Sequence, residues 1–144
     1  DQPVECLSRG GRFLLWAMRG WATAIDQGTC PPVALSRGFA GVSVMSALPD
    51  FHIAMALLNK DASTTFALAP MNADRITEDE AVLIGLWSDL ALGDLDHLKD
   101  TLVLVAETDA VAPISRAMAN VMAKLIAAGF EMSELRTEPL KESK

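Results

Sequence analysis

Apolar side chains recur three and four residues apart along most of this 144-residue chain, and this spacing limits the fold more than any other feature. A period of 3.6 residues places such side chains on one face of an α-helix, whereas a half-buried strand would alternate apolar and polar residues. The pattern occurs in six segments with recognisable starts or ends. These predicted helices cover about residues 8–27, 32–40, 47–60, 78–92, 95–105 and 110–128.

The clearest helix start is the segment Thr77-Glu78-Asp79-Glu80. The Thr77 hydroxyl can accept a hydrogen bond from the N–H of Glu80, while the Glu80 carboxylate reaches back to the N–H of Thr77. Acidic residues in the first turn also interact favourably with the helix dipole. The other predicted boundaries are the N-caps Ser8, Asp94 and Asp109 and the terminating glycines Gly28, Gly93 and Gly129.

The residues of two segments leave their secondary structure open. Near residues 63–70, Thr64 and Thr65 favour an extended backbone and Pro70 stops any helix, so we predict one short strand or an extended loop. The run Thr101–Val105 is rich in β-branched residues, but the three- and four-residue spacing around it favours a helix.

The length and composition indicate one domain. Hydrophobic residues make up 51% of the chain, which is sufficient for a single core, and no apolar run approaches the roughly 20 residues of a membrane-spanning helix. Half of the twelve residues from Ser133 to Lys144 are charged. We therefore predict an all-α, single-domain bundle of about six helices over residues 1–132, a charged and disordered tail over residues 133–144, and no membrane association.

The two cysteines indicate the redox environment. Cys6 and Cys30 flank the first predicted helix, which would separate them by roughly 30 Å, far beyond the reach of a disulfide. Two free thiols are typical of a reducing compartment, so we expect a cytoplasmic protein; a disulfide to another molecule is the alternative.

The negative charge is concentrated in one part of the chain. Residues 74–109 contain ten acidic and two basic residues, a net charge of −8, although the whole chain carries only −7. Arg9, Arg12 and Arg19 on the first helix are too few to offset this block. The charge disfavours binding to nucleic acid, which requires clustered basic residues, and permits a basic protein partner or a cation.

The sharpest candidate for chemistry is the set Asp94, His97 and Asp100, which recur every three residues on one predicted helix. Such spacing can direct two ligands toward one metal ion. The same side chains lie opposite the apolar stripe of that helix, however, so a solvated charged face is the simpler interpretation. The other histidine, His52, is expected to be partly buried and hydrogen-bonded within the fold.

The last predicted helix carries an apolar seam wide enough to contact more than one neighbour. Part of the seam could pair with a second copy of the chain or with a partner helix, or the whole seam could pack inside the monomer. The predicted interface residues are Met118, Met122, Leu125 and Ile126.

Sequence motifs for catalysis are missing. The chain has no G-x-S-x-G elbow, no H-E-x-x-H zinc motif and no tyrosine, and nothing in it implies a cofactor. The residues therefore favour a non-enzymatic helical interaction or regulatory protein that self-associates or docks on a protein partner. The alternative is a helical protein, or an enzyme, that binds a metal or small ligand through histidine and aspartate side chains between helices.

Overall fold

The computed structural model describes residues 2–61, 66–132 and 135, and among these residues it is an all-α bundle. The only β-type pairing in the described part is an isolated bridge between Pro3 and Arg75, so the predicted fold class is confirmed. The six α-helices of the described residues are α1 (Arg9–Gln27), α2 (Pro31–Gly41), α3 (Leu48–Asp61), α4 (Glu78–Leu92), α5 (Leu95–Val105) and α6 (Thr108–Ala127).

Most helix boundaries follow the predicted caps. Thr77 Oγ1 accepts from the Glu80 N–H at 3.0 Å and Glu80 Oε1 accepts from the Thr77 N–H at 2.9 Å, which completes the capping box of α4. The prediction for α6 was wrong by two residues, because its N-cap is Glu107 and not Asp109. Asp109 instead lies in the first turn, where its charge interacts favourably with the positive end of the helix.

The structure distinguishes the two segments whose secondary structure the sequence left open. Residues 101–105 are helical and form the end of α5, as the spacing predicted. Residues 66–70 have no regular secondary structure, in agreement with a loop between α3 and α4. The remainder of the predicted strand or loop, residues 63–65, lies outside the described residues.

A chain of aromatic rings connects four helices through the core. The ring of Phe39 on α2 lies 5.1 Å from Phe13 on α1 and 5.6 Å from Phe51 on α3, measured between centroids. Phe51 in turn stacks on Trp87 of α4 at 6.1 Å. All six helices contribute to one buried hydrophobic cluster, and α3 packs most extensively against α6.

The core extends beyond the boundary predicted at residue 132. Leu135, which falls within the predicted tail, is buried, and its carbonyl accepts a hydrogen bond from the Ser8 N–H at 2.8 Å. A side chain at Gly11 would collide with that carbonyl, so glycine is needed for this close approach. The other residues from 133 to 144 lie outside the described part of the chain.

The cysteines and the helix lengths agree with the sequence analysis. No disulfide joins Cys6 and Cys30, as predicted. None of the described helices is both long enough and apolar enough to cross a membrane.

Candidate functional site

The predicted interface on α6 faces mostly inward. Met118, Met122 and Leu125 are at most 3% exposed and belong to the core, while Ile126 is 52% exposed. The seam is covered within the monomer, chiefly by α3, which is the second of the two interpretations of the sequence. Of the four predicted interface residues, only Ile126 therefore presents its side chain to a partner in this conformation.

Two of the three predicted metal ligands do lie together. Asp89, Asp94 and His97 each offer a ligand atom, and these atoms all lie within 4.8 Å of one another. Asp100 is not part of this group. Asp89 belongs to the last turns of α4 and joins the group because the turn at Gly93 returns the chain alongside it.

The three residues of this cluster already form hydrogen bonds with one another. His97 Nδ1 lies 2.7 Å from Asp89 Oδ2, and Asp94 caps α5 by accepting from the His97 N–H at 3.2 Å. The hydrogen bond and the negative charge of Asp89 raise the pKa of the His97 imidazole, and the charges of Asp94 and Asp100 add to the rise. A metal ion needs the neutral imidazole, so a proton competes with it at this position.

The two histidines serve different parts of the fold. His52 on α3 accepts a hydrogen bond at Nδ1 from the indole N–H of Trp21 at 2.9 Å, so it is held inside the bundle, as expected. It does not belong to the cluster around His97, which is 65% exposed. No shared site of the two histidines is formed among the described residues.

A buried ion pair between Arg19 and Glu80 is the strongest polar feature of the described chain. Arg19 donates from Nε to Glu80 Oε2 at 2.8 Å and from Nη2 to Oε1 at 3.0 Å, and the side chains are 3% and 0% exposed. Sequence reasoning found the capping role of Glu80 but not the burial of Arg19. Nothing in the local pattern could have revealed it, since the two residues are 61 positions apart.

The ion pair holds the connection between α3 and α4 against α1. Arg19 also donates to the carbonyls of Ala73 and Arg75, both at 2.8 Å, and Glu80 accepts from the Ala69 N–H at 2.8 Å. Both oxygens of the Glu80 carboxylate are therefore fully used. A buried charged pair held by this many hydrogen bonds within the protein is typical of structural support.

The outward side of α5 carries three exposed apolar side chains. We call it the α5 face and define it by two neighbouring rows of residues, each with a spacing of four: Leu95, Lys99 and Val103, and Asp96, Asp100 and Leu104. Leu95 is 52%, Val103 55% and Leu104 76% exposed. Because α5 packs mainly against α4 and α6, this side is open to solvent.

The comparisons with known proteins give no relative. The chain matches no protein-family profile, no curated protein and no solved structure.

Proposed function

We propose that this protein is a non-enzymatic interaction protein that docks a basic partner on the α5 face. The observation that carries the proposal is the exposure of Leu95, Val103 and Leu104, each more than half accessible, on one eleven-residue helix. Single exposed apolar residues are common on protein surfaces. Three on one short helix provide apolar surface whose removal from water by a partner is favourable.

The charge around these residues selects the partner. Residues 74–109 have a net charge of −8, and Asp96 and Asp100 lie on the α5 face itself. A complementary partner carries lysines and arginines around apolar residues spaced three and four apart, as on an amphipathic helix. The acidic residues steer such a partner to the surface, and the apolar side chains hold it after contact.

Site-specific cross-linking tests this proposal. A photoreactive amino acid replaces Val103, and a matched protein carries it at Val33, which is 72% exposed on α2. We expect a discrete cross-linked product in native cell extract from the Val103 protein only, weakened by added salt, with the linked peptide rich in lysine and arginine. Equal products from both positions, or none from Val103, would contradict the proposal. A cross-link to a second copy of the chain would contradict the basic partner and support self-association instead.

A second candidate function is the binding of a divalent cation at Asp89, Asp94 and His97. The observation that favours it is the approach of their ligand atoms to within 4.8 Å. Calorimetry with Zn²⁺ tests it on the wild type and on His97→Ala, with Asp100→Asn as a control outside the group. Binding that is lost in His97→Ala and kept in Asp100→Asn supports the site, and equal heats from all three proteins exclude it.

A further inference from the structure

A pocket of about 300 Å³ opens between α1, α3, α4 and the loop at residues 66–68, away from the surfaces discussed so far. Buried side chains from three helices form its floor, and the loop forms one wall. This volume is at the lower limit of small-molecule sites and fits a ligand with one or two fused rings rather than a nucleotide. The described lining residues are Trp21, Ala22, Ile25, Asp26, Met55, Leu58, Asn59, Phe66, Ala67, Leu68 and Leu83.

The floor of the pocket is fixed in place. Trp21 is 4% exposed, and its indole N–H donates to His52 Nδ1 at 2.9 Å, which sets the orientation of the ring. Met55 and Leu83 beside it are 5% and 2% exposed. The side chains at the floor therefore need little rearrangement when a ligand enters, which reduces the entropic cost of binding.

The wall is held by the first turn of α4. The Ala67 N–H donates to Asp79 Oδ2 at 2.6 Å, and the Ala67 carbonyl accepts from Thr77 Oγ1 at 3.1 Å. Two residues further on, the Ala69 N–H donates to the buried Glu80 carboxylate. Loop backbone that is bonded in this way presents a preformed wall.

One charged side chain lines this pocket. Of the described residues that line the pocket, Asp26 is the only one with a charge, and it has no hydrogen-bond or ion-pair partner among the described residues. The exposed carboxylate of Asp26 attracts a cation, and the side chains of Trp21 and Met55 favour contact with an aromatic ring. We propose that this pocket binds a small aromatic amine, with its ring against Trp21 and Met55 and its ammonium group toward Asp26.

Tryptamine is a suitable probe, and indole-3-propionate is its matched anionic control. Nuclear magnetic resonance on the full chain follows the indole N–H of Trp21 and the backbone amides of Ala22 and Ala67 during titration. We expect saturable shifts at these three positions with tryptamine and at least about tenfold weaker binding of the anion, since like charges repel. Equal binding of both compounds, or shifts confined to other parts of the protein, would overturn the proposal.

Two substitutions test separately how the charge of Asp26 and the volume of the pocket contribute to binding. Asp26→Asn removes the charge at an exposed position and should weaken tryptamine binding by about two- to fivefold, whereas Asp96→Asn on α5 should leave its affinity unchanged. Ala22→Leu fills the pocket and should abolish binding while the helical circular dichroism spectrum is retained. Full affinity in either Asp26→Asn or a folded Ala22→Leu would show that the ligand binds elsewhere. The site is independent of the α5 face, so neither result affects the cross-linking at Val103.

Discussion

Arg19 and Glu80 form a bidentate ion pair, enclosed in the protein, that joins the middle of α1 to the first turn of α4. The guanidinium makes four hydrogen bonds, two to the carboxylate and two to the carbonyls of Ala73 and Arg75. Removing water from two charges is costly, and only complete pairing offsets the cost. The pair thus connects three parts of the chain, and loss of one partner would leave the other charge buried and uncompensated.

Replacement of Arg19 should strongly destabilise the protein. We expect Arg19→Met to lower the free energy of unfolding by about 3–5 kcal/mol, because the Glu80 carboxylate stays buried without its counter-charge. Arg12→Met on the same helix is the control, since Arg12 is exposed, and should change stability by less than about 0.5 kcal/mol. Urea unfolding measures both. Similar losses of unfolding free energy in the two variants would show that the buried ion pair contributes no more to stability than an exposed arginine does.

The ion pair between Arg19 and Glu80 should make the free energy of unfolding depend on pH. Burial raises the pKa of the Glu80 carboxyl, but the hydrogen bonds from Arg19, Thr77 and Ala69 together with the Arg19 charge outweigh it, so the net pKa lies below the ordinary value of 4.5. A carboxyl with a lowered folded-state pKa contributes stability that is complete above the unfolded-state value and is lost as pH falls through the folded-state value.

Glu80→Gln should therefore be less stable than the wild type at neutral pH, and the difference should shrink as the pH falls below about 4.5. Glu78→Gln, at an exposed position in the same helix turn, serves as the control and should change the stability at neutral pH much less than Glu80→Gln does. Thermal unfolding across a pH series measures the difference. A constant difference at all pH values would mean that the Glu80 charge is not what stabilises the fold.

The parts of the fold that depend on near neighbours could be predicted from the sequence. The capping box at Thr77 and the αL glycines Gly28 and Gly93 require only groups within one turn, so residue type and spacing were sufficient. The start of α6 was misplaced because Glu107 makes no side-chain cap, which leaves the sequence without a distinctive signal there.

Features that depend on the packing of distant segments could not be predicted. The spacing of Asp94 and His97 is visible on one helix, but Asp89 joins them only through the angle between α4 and α5. Likewise the α6 seam has the same pattern whether α3 or a partner covers it. The burial of Met118 and Met122 follows from the path of the whole chain, which helical periodicity does not specify.

The bond between His97 and Asp89 should be visible in a titration. Asp89 raises the pKa of His97 above 6.5, so the imidazolium remains charged to higher pH than an isolated histidine. Any stability from this bond is complete below pH 6.5 and is lost as pH rises through the raised value. Following the ring protons of His97 by nuclear magnetic resonance should give a raised midpoint that Asp89→Asn lowers. A midpoint that is insensitive to Asp89→Asn would contradict the bond.

Two helix glycines should respond oppositely to the same substitution. A Cβ at Gly38 on α2 would collide with the ring of Trp16, whereas a Cβ at Gly85 on α4 would meet open space. We expect Gly85→Ala to stabilise the protein by about 0.5–1 kcal/mol, since alanine is the better helix former. Gly38→Ala should lose about 1–3 kcal/mol, because displacement of the ring outweighs that gain. Chemical denaturation compares them, and stabilisation by both would show that Trp16 moves aside freely.

Leu135 should behave as a core residue although it follows the last helix. It is 1% exposed, packs with the buried cluster, and its carbonyl holds the N–H of Ser8 at the start of α1. Leu135→Ala should therefore cost about 2–5 kcal/mol, the range for a large buried side chain that leaves a cavity. Leu92→Ala removes the same atoms at a position that is 64% exposed and should cost less than about 1 kcal/mol. If thermal unfolding gives equal losses for the two variants, Leu135 does not belong to the core.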